Sequence, residues 1–229
     1  MRSSNSPKHR RNFSVQFRHV CLLLAATGAL AACGSAKDAN KSNFAKAIDA
    51  QLAKRCVTVA FDMSAMTTST TFPVSVAMTQ PGMLISAEQA KQQNDHAFGQ
   101  YDALVKAGLL TGAEAQVQPM FGRDKVPGKV YTITEAGTKV LKDPKFTAFC
   151  AGRYKVDEVV NFTEPGNAMG ATISRVTYTY SPVDVPAWAK DEGVQTAFPN
   201  LAKQLAPHQE GRATMVLQND GWSADLSMF

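Results

Sequence analysis

A basic stretch followed by a short apolar run removes the first 32 residues of this 229-residue chain from any account of its fold. Arg2, Lys8, Arg10, Arg11 and Arg18 come first, with no acidic residue among them. Val20–Ala32 follows as a predominantly apolar run of 13 residues. A membrane-spanning helix takes about 20, so the run suits the hydrophobic part of an export signal instead. Small Ala31 and Ala32 then offer a cleavage site directly before Cys33. The folded protein is expected to be built from residue 33 onward.

Leu30-Ala31-Ala32-Cys33 resembles the lipobox of a bacterial lipoprotein precursor. The resemblance implies cleavage between Ala32 and Cys33, then acylation (palmitate among the chains) of the Cys33 thiol and its new amino group. It also implies an envelope address, at the outer membrane facing the periplasm, because Gly34 and not an aspartate follows the cysteine. An ordinary secretory signal with an incidental Cys33 is the other reading. Arg10-Arg11-Asn12-Phe13 partly resembles a twin-arginine signal, with His9 and Ser14 departing from that pattern. A general-secretory signal accounts for the same residues, so both export routes stay open.

Removing the signal reverses the charge argument. The whole chain has 24 Lys+Arg against 19 Asp+Glu, a net charge of +5, and all five excess positives precede Cys33. The mature chain is therefore neutral. A basic chain would suggest nucleic acid or an anionic surface; here the excess describes only the signal. With Cys21 leaving and Cys33 taking lipid, Cys56 and Cys150 remain as a pair in an oxidising compartment, and a disulfide is the simplest expectation. Two buried free thiols or a redox pair are the alternatives, although no C-x-x-C spacing supports the last.

Along the mature chain, Gly34–Ser42 is small and polar, the composition of a tether that with Cys33 makes a 33–42 segment. Phe44, Ile48 and Leu52 recur at spacing four and predict a helix from Asn43. Cys56–Phe61 and Val74–Met78 read as strands, with the polar Thr67–Thr71 stretch between them and a Pro81-Gly82 turn after. Phe98, Tyr101, Leu104 and Val105 stripe a second helix that Gly108 closes.

Tyr101-Asp-Ala-Leu-Val-Lys-Ala-Gly-Leu-Leu110 and Val130-Tyr-Thr-Ile-Thr-Glu-Ala-Gly137 are similar to the second half of a winged-helix domain. The resemblance implies a helix running into a strand, a wing, a return strand and a helix capped by Thr134. It does not imply DNA binding. The reading helix would carry His96, Gln100, Asp102 and Lys106, and the wing Arg123, Lys125 and Lys129 against Glu114 and Asp124. Phosphate neutralisation needs clustered cations, and an envelope address removes the nucleic acid.

After Cys150 the pattern turns to strands. Tyr154–Phe162 and Ala171–Tyr180 are the first two, joined by a Gly166–Gly170 loop. Val176, Tyr178 and Tyr180 share one face of the second and Arg175, Thr177 and Thr179 the other. A helical turn opens at Pro186 around Trp188, a helix spans Val194–Leu205 with a break near Pro199, and Asn219-Asp220-Gly221 joins Arg212–Gln218 to Trp222–Phe229 as a hairpin. The expected architecture is α+β: a winged-helix-like half over 43–150, and over 151–229 an antiparallel sheet of about four strands packed by helices.

No catalytic motif stands out. His96 and His208 are far apart, and metal sites need three or four converging ligands. No G-x-S-x-G, P-loop or dinucleotide fingerprint occurs. Asp157-Glu158 alternates across a strand, and Asp191-Glu192 sits at a helix connection; both read as solvated charges. The aromatic set Tyr178, Tyr180, Trp188, Phe198 and Trp222 is either core or a groove for a ligand or partner. The expectation is a membrane-anchored envelope lipoprotein without catalytic residues, metal, cofactor, nucleic acid or transmembrane helix, acting on a protein partner. A small apolar ligand is the alternative, and an enzyme without a recognisable motif the third.

Overall fold

A computed structural model describes residues 35–61, 71–119, 122, 124–142, 147–168 and 170–226. Ala32, Cys33, most of the Thr67–Thr71 stretch and the end of the last expected strand lie outside them. The first element, α1 (Lys41–Leu52), starts where the Asn40 side chain accepts the Asn43 N–H at 2.8 Å. Its Phe44, Ile48 and Leu52 are buried as the spacing predicts. The residues before it are held to the body. Asn43 Nδ2 donates to the carbonyls of Ser35 and Asp38, and Trp222 Nε1 to those of Lys37 and Asp38.

Next come β1 (Cys56–Ala60), β2 (Val74–Ala77) and the long helix α2 (Ala87–Lys106), whose start is closed by a reciprocal Ser86–Gln89 capping box. They are followed by β3 (Leu110–Val117), β4 (Val126–Ile133) and α3 (Glu135–Val140). The second half has β5 (Ala148–Phe162), β6 (Gly166–Ala168) and β7 (Ala171–Val183). It continues with the short helices α4 (Ala187–Lys190), α5 (Glu192–Ala197) and α6 (Pro199–Gln204), and ends with the hairpin β8 (Gln209–Gln218) and β9 (Gly221–Asp225). A curled six-stranded sheet runs β1-β5-β7-β8-β9 with β6 beside β7, and a smaller sheet runs β2-β4-β3; every pairing is antiparallel.

This overturns the expected N-terminal winged-helix half and the four-stranded sheet beyond it. Residues 101–137 do form helix, strand, strand and helix, but what surrounds them differs. α1 packs on the large sheet with Val156, Val176, Ala213 and Met215. β1 enters that sheet beside β5, and β2 joins β4. Tyr101 and Leu104 of α2 share a core with Val57, Phe149, Phe198 and Leu201. The residues that carried the resemblance specify local geometry: Thr134 caps α3 through the Gly137 N–H and donates to the carbonyl of Gly108. Such a cap closes a helix–hairpin–helix whatever packs around it.

The large sheet curls because β5 is irregular. Cys56 faces Arg153 while Thr58 faces Cys150, so β5 carries an extra residue there. Gly152 occupies that bulge at φ +131°, a backbone conformation that side chains disfavour. Two further shifts against β7 lie between Val156 and Glu158 and between Val159 and Asn161. Phe149 and Ala151 consequently face the first core, while Val156 and Val159 face α1 in the second; Tyr154 touches both. Cys56 and Cys150 are joined across β1 and β5, with Cα atoms 5.6 Å apart.

Candidate ligand cleft

α1 is shorter than the sheet face it covers. At Ala53 the helix stops, and Lys54 and Arg55 lead the chain into β1. The strand surface beyond is left open and forms a cleft of about 960 Å³. Tyr154 from β5, Tyr178 and Tyr180 from β7 and Gly211 from β8 line it; Leu52 and Leu226 add apolar surface. Strand alternation sets this floor, since Val176, Tyr178 and Tyr180 point the same way. Tyr178 lies against the bare backbone of its cross-strand partner: a Cβ on Gly211 would sit 2.5 Å from Tyr178 Cζ.

The tyrosines interlock, Tyr154 edge-on to Tyr180 at 5.3 Å and Tyr178 tilted against Tyr180 at 5.7 Å. Burial pushes the hydroxyls of Tyr154 and Tyr178 above the usual tyrosine pKa, and Tyr180 adds to this, whereas Arg55 pulls Tyr178 back. Both stay protonated at neutral pH. Tyr180 Oη donates to Gln209 Oε1 at 3.4 Å. At one side, Gln204 of α6 exchanges hydrogen bonds with the Thr58 backbone (3.2 and 3.1 Å), satisfying the outer edge of β1.

The rim carries Lys54, Arg55, Lys142 and Arg212, with Glu210 the one carboxylate among the described lining residues. Arg55 Nη2 donates to the Leu226 carbonyl at 3.3 Å and Lys142 Nζ to Thr58 Oγ1 at 3.3 Å. Arg212 lies 3.8 Å from Glu210, a pair with both side chains more than half exposed.

Of the aromatic residues that the sequence groups together, only Tyr178 and Tyr180 meet here. Phe198 belongs to the first core, where Phe61 stacks on Tyr101 at 4.0 Å and meets Phe198 edge-on at 5.6 Å. Trp188 packs against the same core, and its buried indole N–H has no acceptor among the described residues. Trp222 lies beside Phe44 at 5.0 Å on the covered part of the sheet. Tyr154 and the four cations escaped the sequence reading. Tyr154 alone has a signal, its place two residues before Val156; the cations come from three separate segments.

A second cleft of about 730 Å³ between α2 and α5 carries Asp95, His96, Asp102, Asp191 and Glu192. Two of its acids have structural tasks. Asp191 Oδ1 accepts the Val194 N–H and caps α5. Asp102 accepts from Lys129 Nζ at 2.9 Å and Tyr131 Oη at 2.8 Å, tying α2 to β4. Among the described residues, no group of three or more His, Cys, Asp or Glu is placed to hold a metal ion.

Asp157 and Glu158 diverge at a bulge. Glu158 pairs with Lys41, whereas Asp157 accepts from Ser181 Oγ at 2.7 Å and lies 3.1 Å from His208 Nδ1. The Ser181 hydroxyl thus points at the carboxylate, and it accepts the His208 backbone N–H at 2.9 Å. A nucleophilic serine would be hydrogen-bonded to the imidazole instead. The arrangement pins His208 at φ +52° where the chain enters β8.

Among the described residues, no helix is long and apolar enough to cross a membrane. No family model, no curated protein and no solved structure significantly matches the chain. The class that fold and cleft define is a sheet-rich protein whose candidate site lies on the uncovered part of its large sheet.

Proposed function

We propose that the protein is a lipid-anchored envelope binding module without catalytic function, held through Cys33 and engaging its ligand in the tyrosine-floored cleft. The observation that carries this reading is the cleft itself. It is concave, partly apolar and walled by elements fixed through backbone hydrogen bonds, as small-molecule sites are. That favours a small ligand over the flat apolar patch that protein association would use. The anchor rests on the Leu30-Ala31-Ala32-Cys33 resemblance.

A protein partner remains the second reading, on one observation. Met83 and Leu84, between β2 and α2, are fully exposed. Two adjacent side chains form a small contact, so this tip supports a protein interface less than the cleft supports a ligand.

Native mass spectrometry on protein extracted from bacterial membranes in mild detergent tests both parts. A triacylated N-terminus at Cys33 and a co-purifying small-molecule adduct are expected. The adduct should weaken when Tyr180→Trp crowds the cleft. An unlipidated chain removes the anchor, and protein free of adduct in every preparation removes the cleft reading.

A further inference from the structure

The cleft has a chemical polarity beyond its shape. Its floor is three phenol rings and two leucines, and its rim holds four cations against one carboxylate. The cations come from separate places: the turn after α1 (Lys54, Arg55), the segment after α3 (Lys142) and β8 (Arg212). Chain-neighbour charge accounts for one pair of them only. The mature chain as a whole is neutral, so this local excess is a feature of the fold.

Building on the binding reading above, we propose that the cleft takes a phosphate monoester. Arg212 and Glu210 oppose Thr177 and Thr179 and so turn away from the tyrosine face; the doubly charged head meets Arg55 and the two lysines, and the ester group lies on Tyr154 and Tyr180. A monoester at neutral pH carries about −1.5 to −2 charges, which matches a surplus of three cations better than a single carboxylate does. Arginine is suited to the task because its planar fork can hold two phosphate oxygens at once. Arg55 is also kept in position, since its Nη2 is donated to the Leu226 carbonyl. The floor is suited to a ring or short chain: Tyr154 and Tyr180 are half-buried and show part of their rings to the cleft. Buried Tyr178 sets the depth through its seat on Gly211. Such a head could be offered by an anionic lipid or by a soluble ester, and the chemistry recognised is the same.

The test uses the processed, lipidated protein in mild detergent at low salt, with phenyl phosphate as probe and phenol as its neutral counterpart, read by titration calorimetry. Phenyl phosphate should bind at least about tenfold tighter than phenol, and Arg55→Ala and Lys142→Ala should each weaken it about tenfold. The wild type supplies a check that does not depend on variants folding: affinity should rise with pH through about 6, as the phosphate loses its second proton. Equal binding of phenyl phosphate and phenol, or a flat pH profile, overturns the phosphate assignment while leaving the cleft as a site. Binding of neither probe, with no adduct in the membrane-extracted protein, overturns both. Competition by vesicles of equal parts phosphatidylcholine and phosphatidic acid identifies a lipid source; displacement by soluble esters alone identifies a soluble one, and either result supports the assignment.

Discussion

Gly211 is where one missing side chain decides the shape of the site. With a Cβ only 2.5 Å from Tyr178 Cζ, Gly211→Ala must lift the ring off β8. Overpacking of this kind costs about 1–3 kcal/mol, and urea unfolding should show it. Asp102 offers a second point. Tyr131→Phe removes its 2.8 Å hydrogen bond and should cost about 1–2 kcal/mol. Burial first, and Asp102 second, raise the Tyr131 pKa well above 10.0. The folded state therefore holds its proton where the unfolded chain releases it, so the stability linked to Tyr131 is complete below pH 10 and declines above. One such group gives a slope of about 1.4 kcal/mol per pH unit, and Tyr131→Phe should flatten the alkaline limb by that amount. The tyrosine face of β7 was legible in the sequence because strand alternation is local. The cation rim was not, because it exists only once three distant segments meet.

At the scale of elements, α1 follows its local pattern and β5 departs from it. The helix was readable from Phe44, Ile48 and Leu52; its destination was not, because an amphipathic stripe says that a face is buried and not against what. Phe44 is fully buried between Phe162 and Trp222. Phe44→Ala should cost about 3–5 kcal/mol and loosen the wall of the cleft, which fluorescence of Trp222 during denaturation would report. The sequence predicts a strand from Tyr154, but β5 begins six residues earlier, at Ala148. Its bulges break the alternation that a strand reading relies on. The same bulges explain why Asp157 and Glu158 find separate partners.

For the whole molecule, the disulfide joins neighbours in space that are 94 residues apart in sequence. The chain-entropy account assigns such a loop about 4–5 kcal/mol, so a Cys56→Ala/Cys150→Ala double variant should unfold at correspondingly lower denaturant. Because β5 contributes to both cores, the two should melt together, and near-ultraviolet and far-ultraviolet transitions should coincide. The winged-helix expectation failed at this scale for a physical reason. Caps and turns are written in a few adjacent residues, whereas the association of β1 with β5 and of α1 with the large sheet is decided by which apolar faces remain uncovered. Residues 101–137 specify their own path and leave their neighbours free to differ.

The hydrogen bonds that fix Ser35–Asn40 bear on posture at the membrane. With Cys33 acylated as proposed, two residue steps separate the lipid from the first anchored carbonyl, that of Ser35, a reach of at most about 7 Å. Such a mooring would keep the beginning of α1 near the lipid. α1 has 12 residues and so rises roughly 18 Å, with the cleft at its far end. The end of the folded chain nearest the anchor and the mouth of the cleft therefore lie at opposite ends of one helix.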